Sequence, residues 1–213
     1  MISIQPGGGS PTVLRMLLGS QLRKLREAKG ITREEAGYLI RASESKISRM
    51  ELGRVSFKQR DVIDLLEMYG VDDDDARAAL VRLARDANSP GWWHQYSDVL
   101  PDWFSVYVGL EEPASLLRVY EVQFVPGLLQ TADYTRAIVE RGQPAATADE
   151  IERRVALRAG RQEMLAKPGA PRLWAVVDEA ALRRPIGGPA VMRAQLERLI
   201  VRDHRFHERP RSR

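Results

Sequence analysis

The sequence predicts a mainly α protein in two parts, a five-helix N-terminal domain followed by a smaller α+β domain. Three observations support this fold class. Apolar residues recur at helical spacing from Leu14 onward. Residues that cap helices stand between these segments at short intervals. Beyond Gly91 the composition changes, because all four Trp lie there among apolar runs and one short β-rich segment.

We therefore divide the 213 residues into four predicted segments. A leader rich in Gly and Pro, residues 1–12, is expected to be disordered. The five-helix domain spans 13–88, and "NSPG" at 88–91 marks its end. The second domain spans 91–201, and a basic polar tail spans 202–213.

The first two helices are defined by their ends. Helix one is predicted over about 13–28, and Gly30 can end it in a left-handed turn. Thr32 and Glu35 stand three residues apart, as in a capping box that satisfies the free amides of a helix start. They predict a second helix over about 33–40.

Two more caps predict the next two helices. Ser43 is the predicted N-cap of a helix over 44–51, which Gly53 can terminate. Ser56 and Gln59 repeat the capping-box spacing and predict a fourth helix. Its buried stripe is predicted to consist of Val62, Leu65, Leu66 and Tyr69.

The fifth helix is predicted to begin in "DDDD", where carboxylates suit the positive end of the helix dipole. It is expected to bury Ala76, Leu80, Leu83 and Ala87. In the second domain, "SVYVGL" and "VYEVQFVPGLL" are each compatible with a strand or a buried helix. "RLWAVV" is the best strand candidate because it is short, β-rich and bounded by Pro171 and Asp178.

Two longer helices complete the second domain. Thr147 and Glu150 form a third predicted capping box, and the helix that follows extends to about Leu165. Pro189 suits the first turn of a last helix. The inner face of that helix is predicted to carry Met192, Leu196 and Leu199.

Composition limits the function classes. The chain has no Cys, no apolar run of the ~18 residues a membrane helix needs, and no secretory signal pattern at its start. We therefore expect a cytoplasmic protein that does not enter a membrane. Residues 10–60 carry 12 cationic against five acidic side chains, a net charge of +7. Such a charged lobe attracts a polyanion, most plausibly nucleic acid.

The second and third helices meet through a tight turn, which is the helix-turn-helix arrangement. In that arrangement the second helix of the pair lies in the DNA major groove and reads base edges. We interpret Ile47 as the anchor that packs inward. The residues resemble the XRE family of phage-repressor-like regulators over about 14–70. The resemblance rests on Glu35, Ser43, Ile47, Ser48, Glu51 and Gly53.

Three positions depart from the pattern of that family. Arg33 stands where the family usually has a Gln that contacts phosphate. Gly37 replaces the usual Ala at the helix crossing, where it permits close approach. Arg41 occupies the place of the usual turn glycine, so either the turn is altered or strain at a positive φ is tolerated.

The resemblance implies roles for residues on and around the third helix. Glu44, Ser45 and Arg49 would face bases, and this suits their chemistry because Arg prefers guanine edges and Glu accepts from cytosine. The residues implied to lie near phosphates are Arg33, Ser43, Lys46, Arg54 and Lys58. Glu51 is expected to be structural and to hold the following loop. The alternative for the exposed residues is an ordinary solvated helix face.

The second domain resembles, over about 90–200, an uncharacterised C-terminal domain that follows XRE-like heads in regulators of high-GC bacteria. "PGLLQT" is the most specific element of the resemblance. It implies a transcription factor often encoded beside a small partner protein, sometimes described as an antitoxin-like pair. Relatives normally continue with more sheet after "LERLI", so we hypothesise truncation or a shifted frame near residue 201. That would leave "RLWAVV" short of a strand partner.

Three features of the second part of the chain are candidate sites. Arg154, Arg158 and Arg161 form a cationic helix stripe that either receives an acidic partner or is a solvated face paired with Glu150. The pair Trp92–Trp93 is either a ligand wall or hinge and core packing. The tail residues that could suggest a metal lack supporting groups, and no metal site is expected; they are His204, His207 and Glu208.

Taken together, these patterns predict a sequence-specific transcriptional regulator that binds double-stranded DNA as a dimer. Its C-terminal domain would sense an effector or a small partner protein. The alternative is an antitoxin-like interaction protein with weak DNA binding. We expect that the protein is not an enzyme and uses no cofactor, because the sequence shows no set of catalytic residues and His94 stands alone.

Overall fold

The computed structural model describes the backbone of residues 9–207 and the side chains of residues 9–201. Contacts within the chain divide it into two units. The first contains residues up to His94 together with Ser105–Pro113, and the second contains Gln95–Phe104 together with the residues from Ala114 onward. The sequence alone suggested one boundary near residues 88–91, whereas these contacts divide the chain at several points.

The described part is mainly helical with one small sheet, as the sequence predicts. In the first unit the helices are α1 (Pro11–Ala28), α2 (Arg33–Leu39), α3 (Glu44–Glu51), α4 (Gln59–Met68) and α5 (Asp74–Ala87). Next come a 3₁₀ turn at Trp92–Tyr96 and α6 (Asp102–Glu111). The remaining elements are β1 (Leu116–Glu121), a 3₁₀ turn (Gly127–Leu129), α7 (Ala132–Gly142), α8 (Ala148–Glu163), a 3₁₀ turn (Met164–Ala166), β2 (Arg172–Val177), α9 (Glu179–Arg183) and α10 (Pro189–His207).

Helix α1 begins two residues before the predicted start at 13. Pro11 occupies its first turn, and the Ser10 side chain accepts from the Thr12 amide at 3.3 Å. Ser10 and Thr12 are both buried, so the end of the predicted disordered leader is part of the folded unit. Residues 1–8 of that leader lie outside the described residues.

An apolar core in the first unit receives residues from all of α1 to α5. Packing joins α1 to both α3 and α5, α2 to α3, and α4 to α5. The predicted stripe of α4 is confirmed, because each of its four residues is at most 2% exposed. The most buried members of this core are Leu18, Leu22, Ala36, Ile47, Met50, Phe57, Val62, Leu65, Leu66, Tyr69, Ala84 and Ala87.

Two details of α4 and α5 correct the sequence prediction. Lys58 is the residue before α4, and no side chain caps this helix, so the predicted capping box of Ser56 and Gln59 is wrong. In α5, Ala76 is exposed and Ala84 is fully buried instead. The reason is that the acidic first turn of α5 is solvated. The apolar stripe of the helix faces the core only after that turn.

The second unit contains the sheet, a parallel pair of β1 and β2 in which Leu116 lies opposite Arg172 and Glu121 opposite Val177. The prediction that "RLWAVV" is a strand is confirmed, but the expectation that it lacks a partner is wrong. The open question over the apolar runs is also settled. "SVYVGL" belongs to helix α6, whereas the "VYE" part of the second run belongs to β1.

The core of the second unit forms around α7 and α10. Tyr134 is fully buried, and its hydroxyl oxygen accepts a hydrogen bond from the Val125 amide at 3.2 Å. Of the predicted inner face of α10, Met192 is buried, and Leu196 and Leu199 pack against the cluster. Helix α10 continues to His207, so the first part of the predicted basic tail is helical.

Candidate nucleic-acid interface

The turn between α2 and α3 is tight and carries a strained residue. Arg41 has a φ of 53°, so the structure keeps the left-handed turn although the residue is not glycine. The Ala42 amide donates to the Gly37 carbonyl at 2.8 Å, which draws the two helices together. A Cβ at Gly37 would lie 2.7 Å from the Ala42 oxygen, so this position requires glycine.

Helix α3 is held by two buried side chains rather than one. Ile47 and Met50 are each 1% exposed. Ser43 caps the helix as predicted, since its hydroxyl oxygen accepts from the Lys46 amide at 3.2 Å. The sequence interpretation identified Ile47 and missed Met50, although the spacing of three residues placed both on one helix face.

The three residues predicted to read bases lie together on the exposed side of α3. Glu44, Ser45 and Arg49 are all exposed. The Arg49 Nε atom donates to the Ser45 carbonyl oxygen at 3.3 Å, so its side chain folds back along the helix. This face offers a carboxylate, a hydroxyl and a guanidinium to solvent.

The five residues predicted to lie near phosphates surround this helix but differ in their surroundings. Ser43, Arg54 and Lys58 are exposed. Arg33 and Lys46 are about one third exposed, and each forms an ion pair with a buried carboxylate. The cations of the interface are therefore of two kinds, exposed ones and ones anchored by a buried acid.

Glu51 is the centre of the first ion-pair network. Its carboxylate is 3% exposed and accepts from Arg26 Nε at 2.5 Å, from Arg26 Nη2 at 3.2 Å and from Arg33 Nε at 3.0 Å. Arg26 also donates to the Ile31 carbonyl oxygen at 2.7 Å. The hydrogen bond to Glu51 raises the pKa of Arg26. Glu51 is structural, as expected, but it joins α3 to α1 and α2 through side chains instead of holding the following loop.

Asp61 anchors the second cation. It lies on α4 with its side chain 2% exposed, and its Oδ2 atom accepts from Lys46 Nζ at 2.9 Å. The sequence contained a signal for this pair that the prediction missed. Asp61 stands four residues before the buried Leu65, and residues at that spacing share one helix face.

The Trp pair is packed within the first unit. Trp92 and Trp93 meet edge to face, with ring centroids 6.0 Å apart, and Trp93 is 6% exposed. A Cβ at Gly109 would lie 2.9 Å from the Trp93 ring, so the indole packs closely against that glycine. These contacts favour the core-packing alternative over a ligand wall.

The three arginines of α8 do not form a solvated face. Arg161 is 6% exposed and its guanidinium carbon lies 4.8 Å from the Phe104 ring centroid. Arg154 donates to the Glu150 carbonyl oxygen at 3.1 Å, whereas the Glu150 carboxylate serves its predicted capping box. Arg158, Arg161 and Arg154 line one pocket.

Among the described residues, no group of His, Asp and Glu side chains is placed to hold a metal ion. The tail residues weighed earlier, His204, His207 and Glu208, lie outside the described side chains. His94 is exposed.

Comparison with protein families agrees with the geometry of both units. Residues 17–80 match a family described as a helix-turn-helix domain, which contains the α2–α3 turn and the network around Glu51. Residues 104–207 match a family described as a domain of unknown function, DUF5753. The chain joins a helix-turn-helix domain to a DUF5753 domain. Comparison with curated proteins and with solved structures finds no match.

The helix-turn-helix domain supports a DNA-binding regulator. The pairing with DUF5753 is consistent with the XRE-like regulator that the sequence resembles. In the described part of the chain, no helix has both the length and the apolar character that crossing a membrane requires.

Proposed function

We propose that this chain is a cytoplasmic transcriptional regulator of the XRE type that recognises specific DNA sequences through α3, and that it is not an enzyme. One observation carries the proposal. The exposed face of α3 presents Glu44, Ser45 and Arg49 together, while the opposite face is fixed in the core by Ile47 and Met50. A helix held in this way can enter the major groove without rearrangement of the domain.

The exposed residues have the chemistry that base reading requires. Arg49 can form two parallel hydrogen bonds to the O6 and N7 atoms of guanine, once its side chain leaves the Ser45 carbonyl. Glu44 can accept from the amino group of cytosine, and the Ser45 hydroxyl can donate or accept. Each good pair of this kind discriminates between bases by about 1–3 kcal/mol.

The surrounding cations position the domain on the duplex. Arg54 and Lys58 are exposed and free of the two buried-acid networks described above. The Ser43 hydroxyl uses its oxygen as an acceptor for the helix cap, which leaves its proton for a phosphate oxygen. These contacts carry no sequence information, but they supply affinity that falls steeply with salt.

The regulator acts as a homodimer in this proposal. The chain contributes one α3, whose eight residues cover only a few base edges. Two copies on half-sites about one helical turn apart would double the contacts, which is how helix-turn-helix proteins reach specific affinities. Specific binding then lies at roughly 10⁻⁸–10⁻¹¹ M, against roughly 10⁻⁴–10⁻⁶ M for random DNA.

The DUF5753 domain supplies the regulatory input, either an effector or a small partner protein encoded nearby. The observation that supports this role is the pocket lined by Arg154, Arg158 and Arg161 in the second unit. The same pocket supports the second candidate, an antitoxin-like interaction protein for which DNA binding is weak. The two candidates differ in the affinity for DNA of the chain alone.

Fluorescence anisotropy of the full chain with a duplex from the promoter next to its own gene tests the proposal. We expect at least a thousandfold preference over a scrambled duplex, in line with the specificity of such proteins. Arg49→Ala should reduce that preference. Arg82→Ala, which removes an exposed cation on α5, should leave it unchanged. Equal, weak affinity for both duplexes would favour the interaction protein and overturn the regulator.

A further inference from the structure

Strand β2 has an edge without a partner in the described part of the chain. The Arg172 amide donates to the carbonyl oxygen of Ser115, the residue before β1, at 3.0 Å. Because the backbone groups of successive residues in a strand point to opposite sides, the groups of Leu173, Ala175 and Val177 point away from β1. Among the described residues, no backbone hydrogen bond reaches these groups. The outer edge of β2 therefore presents a row of unused donors and acceptors.

This edge lacks the features that normally protect an open strand. Monomeric proteins usually place a charged residue, a proline or a bulge within an exposed edge strand. β1 follows this rule, because Arg118 lies in its middle. Residues 173–177 of β2 are all apolar, and the strand pairs with β1 without a bulge. The outer edge of β2 is thus suited to a partner strand.

One face of β2 is exposed as well. Arg172, Trp174, Val176 and Asp178 all point to that face and are exposed. Trp174 is 59% exposed, although the Arg118 guanidinium carbon lies 5.4 Å from its ring centroid. The exposed face begins with a cation and ends with a carboxylate, and two apolar side chains lie between them. This order is complementary to itself when the strand is reversed.

We propose that β2 pairs in antiparallel orientation with β2 of a second copy of this chain. Ala175 lies at the centre of the pairing, opposite the same residue of the second copy. In that register Arg172 lies opposite Asp178 of the second copy, and Trp174 lies opposite Val176. The two-fold symmetry repeats both pairs on the other side of the centre. Use of this dimer on two DNA half-sites rests on the proposed function, whereas its formation does not.

The register follows from the two faces and from the charges. A shift by one residue would place the exposed face of one copy beside the half-buried face of the other. A shift by two residues keeps the faces but moves Arg172 away from Asp178, to a place opposite Val176 or Ala180. The proposed register pairs both charges. The Asp178 Oδ1 atom accepts from the Ala180 amide at 2.8 Å, which leaves the second oxygen for the arginine.

Charge also decides between the possible partners of the open edges. The same kind of pairing through β1 would leave Arg118 without an acid, because the exposed face of that strand contains no carboxylate. A peptide from another protein could use the backbone groups of β2, but a second copy also supplies both charges in matching places. The interface consists of about six ladder hydrogen bonds with an ion pair at each end. So small an interface predicts a Kd of about 1–100 µM.

Disulfide trapping of the full chain tests the register, because the chain contains no Cys. In a double variant, Trp174→Cys with Val176→Cys, the paired positions of the two copies lie about 4.5 Å apart between Cα atoms, which a disulfide can span. In either single variant the two equivalent positions lie about 8 Å apart, which is too far. We expect mild oxidation to link the double variant into dimers and to leave the single variants largely unlinked. Equal linking of all three variants, or no linking of the double variant, would overturn the proposal.

Sedimentation velocity without DNA measures the affinity of the dimer. Ala175→Pro removes an outward-facing amide and should weaken the dimer at least tenfold, whereas Tyr120→Pro makes the same change on the outer edge of β1 and should not. Arg172→Gln should weaken the dimer about threefold to tenfold, because it removes the ion pair at each end. Arg141→Gln, which removes an exposed cation on α7, is its control. If Ala175→Pro does not fold, Arg172→Gln decides. A dimer that these β2 variants leave unchanged would refute the assignment.

The assays also separate this inference from the proposed function. Trapping and sedimentation are carried out without DNA, and the anisotropy assay measures DNA binding directly. A dimer through β2 without specific DNA binding would refute the regulator and leave the interface intact. Specific DNA binding by a chain that dimerises equally well in the β2 variants would refute the interface and leave the regulator intact.

Discussion

The carboxylate of Glu51 is the clearest single support of helix α3, and the effect of removing its charge can be predicted in detail. Glu51→Gln preserves the size and one acceptor oxygen of the side chain but removes its charge. In the folded protein this carboxylate bonds Arg26, whose side chain is 8% exposed, and Arg33, whose side chain is 34% exposed. The change therefore leaves the buried Arg26 cation with only the longer contact of 3.5 Å to Glu27 as a counter-charge.

The expected loss of unfolding free energy follows from the exposed fractions of the two arginine side chains. Removal of one partner from a buried ion pair costs about 3–5 kcal/mol. Arg33 can turn to water, and Arg26 keeps its bond to the Ile31 carbonyl, so we expect the lower part of that range, about 3–4 kcal/mol. For a domain of this size each kcal/mol corresponds to about 4–8 °C in Tm.

Hydrogen exchange measured by mass spectrometry is the suitable assay, because it reports the opening of α3 and α4 separately from the second unit. Glu27→Gln is the matched control. It makes the same chemical change on α1, where the exposed Glu27 pairs with Arg23 at 2.8 Å and reaches Arg26 only at 3.5 Å. We expect no measurable change in protection for that variant, since exposed pairs contribute little.

Two results would contradict this reasoning. Protection of α3 in Glu51→Gln within the error of the unchanged protein would show that the network does not hold the helix. A selective loss of affinity for promoter DNA, with affinity for scrambled DNA retained, would show that Glu51 reads bases instead. The structure predicts a proportional loss on both duplexes, because the carboxylate is buried.

Three further variants test other parts of the domain. Arg49→Ala should cost about 1–3 kcal/mol on promoter DNA and relax specificity, and equal losses on scrambled DNA would exclude base reading. Lys46→Ala should lower the free energy of unfolding by about 1–3 kcal/mol in urea titrations, because it leaves the buried Asp61 with only the 3.6 Å contact to the exposed Arg60; an unchanged urea midpoint would contradict this. Arg41→Gly should raise the unfolding free energy by about 0.5–1 kcal/mol by relieving the positive φ, whereas Gly30→Ala at φ 69° should lower it; the opposite signs would refute the strain argument.

Local signals explain why the first unit could be predicted closely from the sequence. The capping box of Thr32 and Glu35 and the cap at Ser43 are formed as expected, and each depends on residues three apart. The same rule failed at Ser56 and Gln59. Phe57 is 1% exposed and its amide donates to Asn88 Oδ1 at 2.9 Å, so tertiary contacts fix this segment and move the helix start to Gln59.

The second unit was less predictable because its sheet depends on distant residues. β1 and β2 are separated by two helices, and a parallel pair leaves no local turn signal between its strands. The expectation that "RLWAVV" lacked a partner arose from this gap. The apolar run "SVYVGL", which belongs to the first unit, could not be assigned either, because a short run fits a strand and a buried helix equally well.

In the candidate sites, too, features set by local spacing could be predicted and features set by tertiary contacts could not. The exposed face of α3 followed from helical spacing alone. The anchoring of Lys46 by Asp61 required the packing of α3 near α4, which spacing does not give. The sequence identified the three arginines of α8 as a group but did not predict the burial of Arg161, because a regular spacing on a helix does not reveal what covers it.

Anchored cations can still serve phosphate, and Arg33 provides the test. A guanidinium has five N–H donors, and Arg33 uses only Nε for Glu51. The pair therefore restricts the side chain and leaves its terminal donors for a phosphate oxygen, so part of the ordering cost of binding is met in advance. Lys46 is similar, because one of its three ammonium protons reaches Asp61.

Arg33→Ala should accordingly weaken promoter and scrambled duplexes alike. It should also reduce the slope of log K against log salt by about one unit, as expected for one lost phosphate contact. Arg23→Ala on α1 is the control, since Arg23 is exposed and pairs with Glu27 rather than with Glu51. An unchanged salt slope in Arg33→Ala would mean that Glu51 holds this arginine away from the DNA, and its role would then be only to support α3.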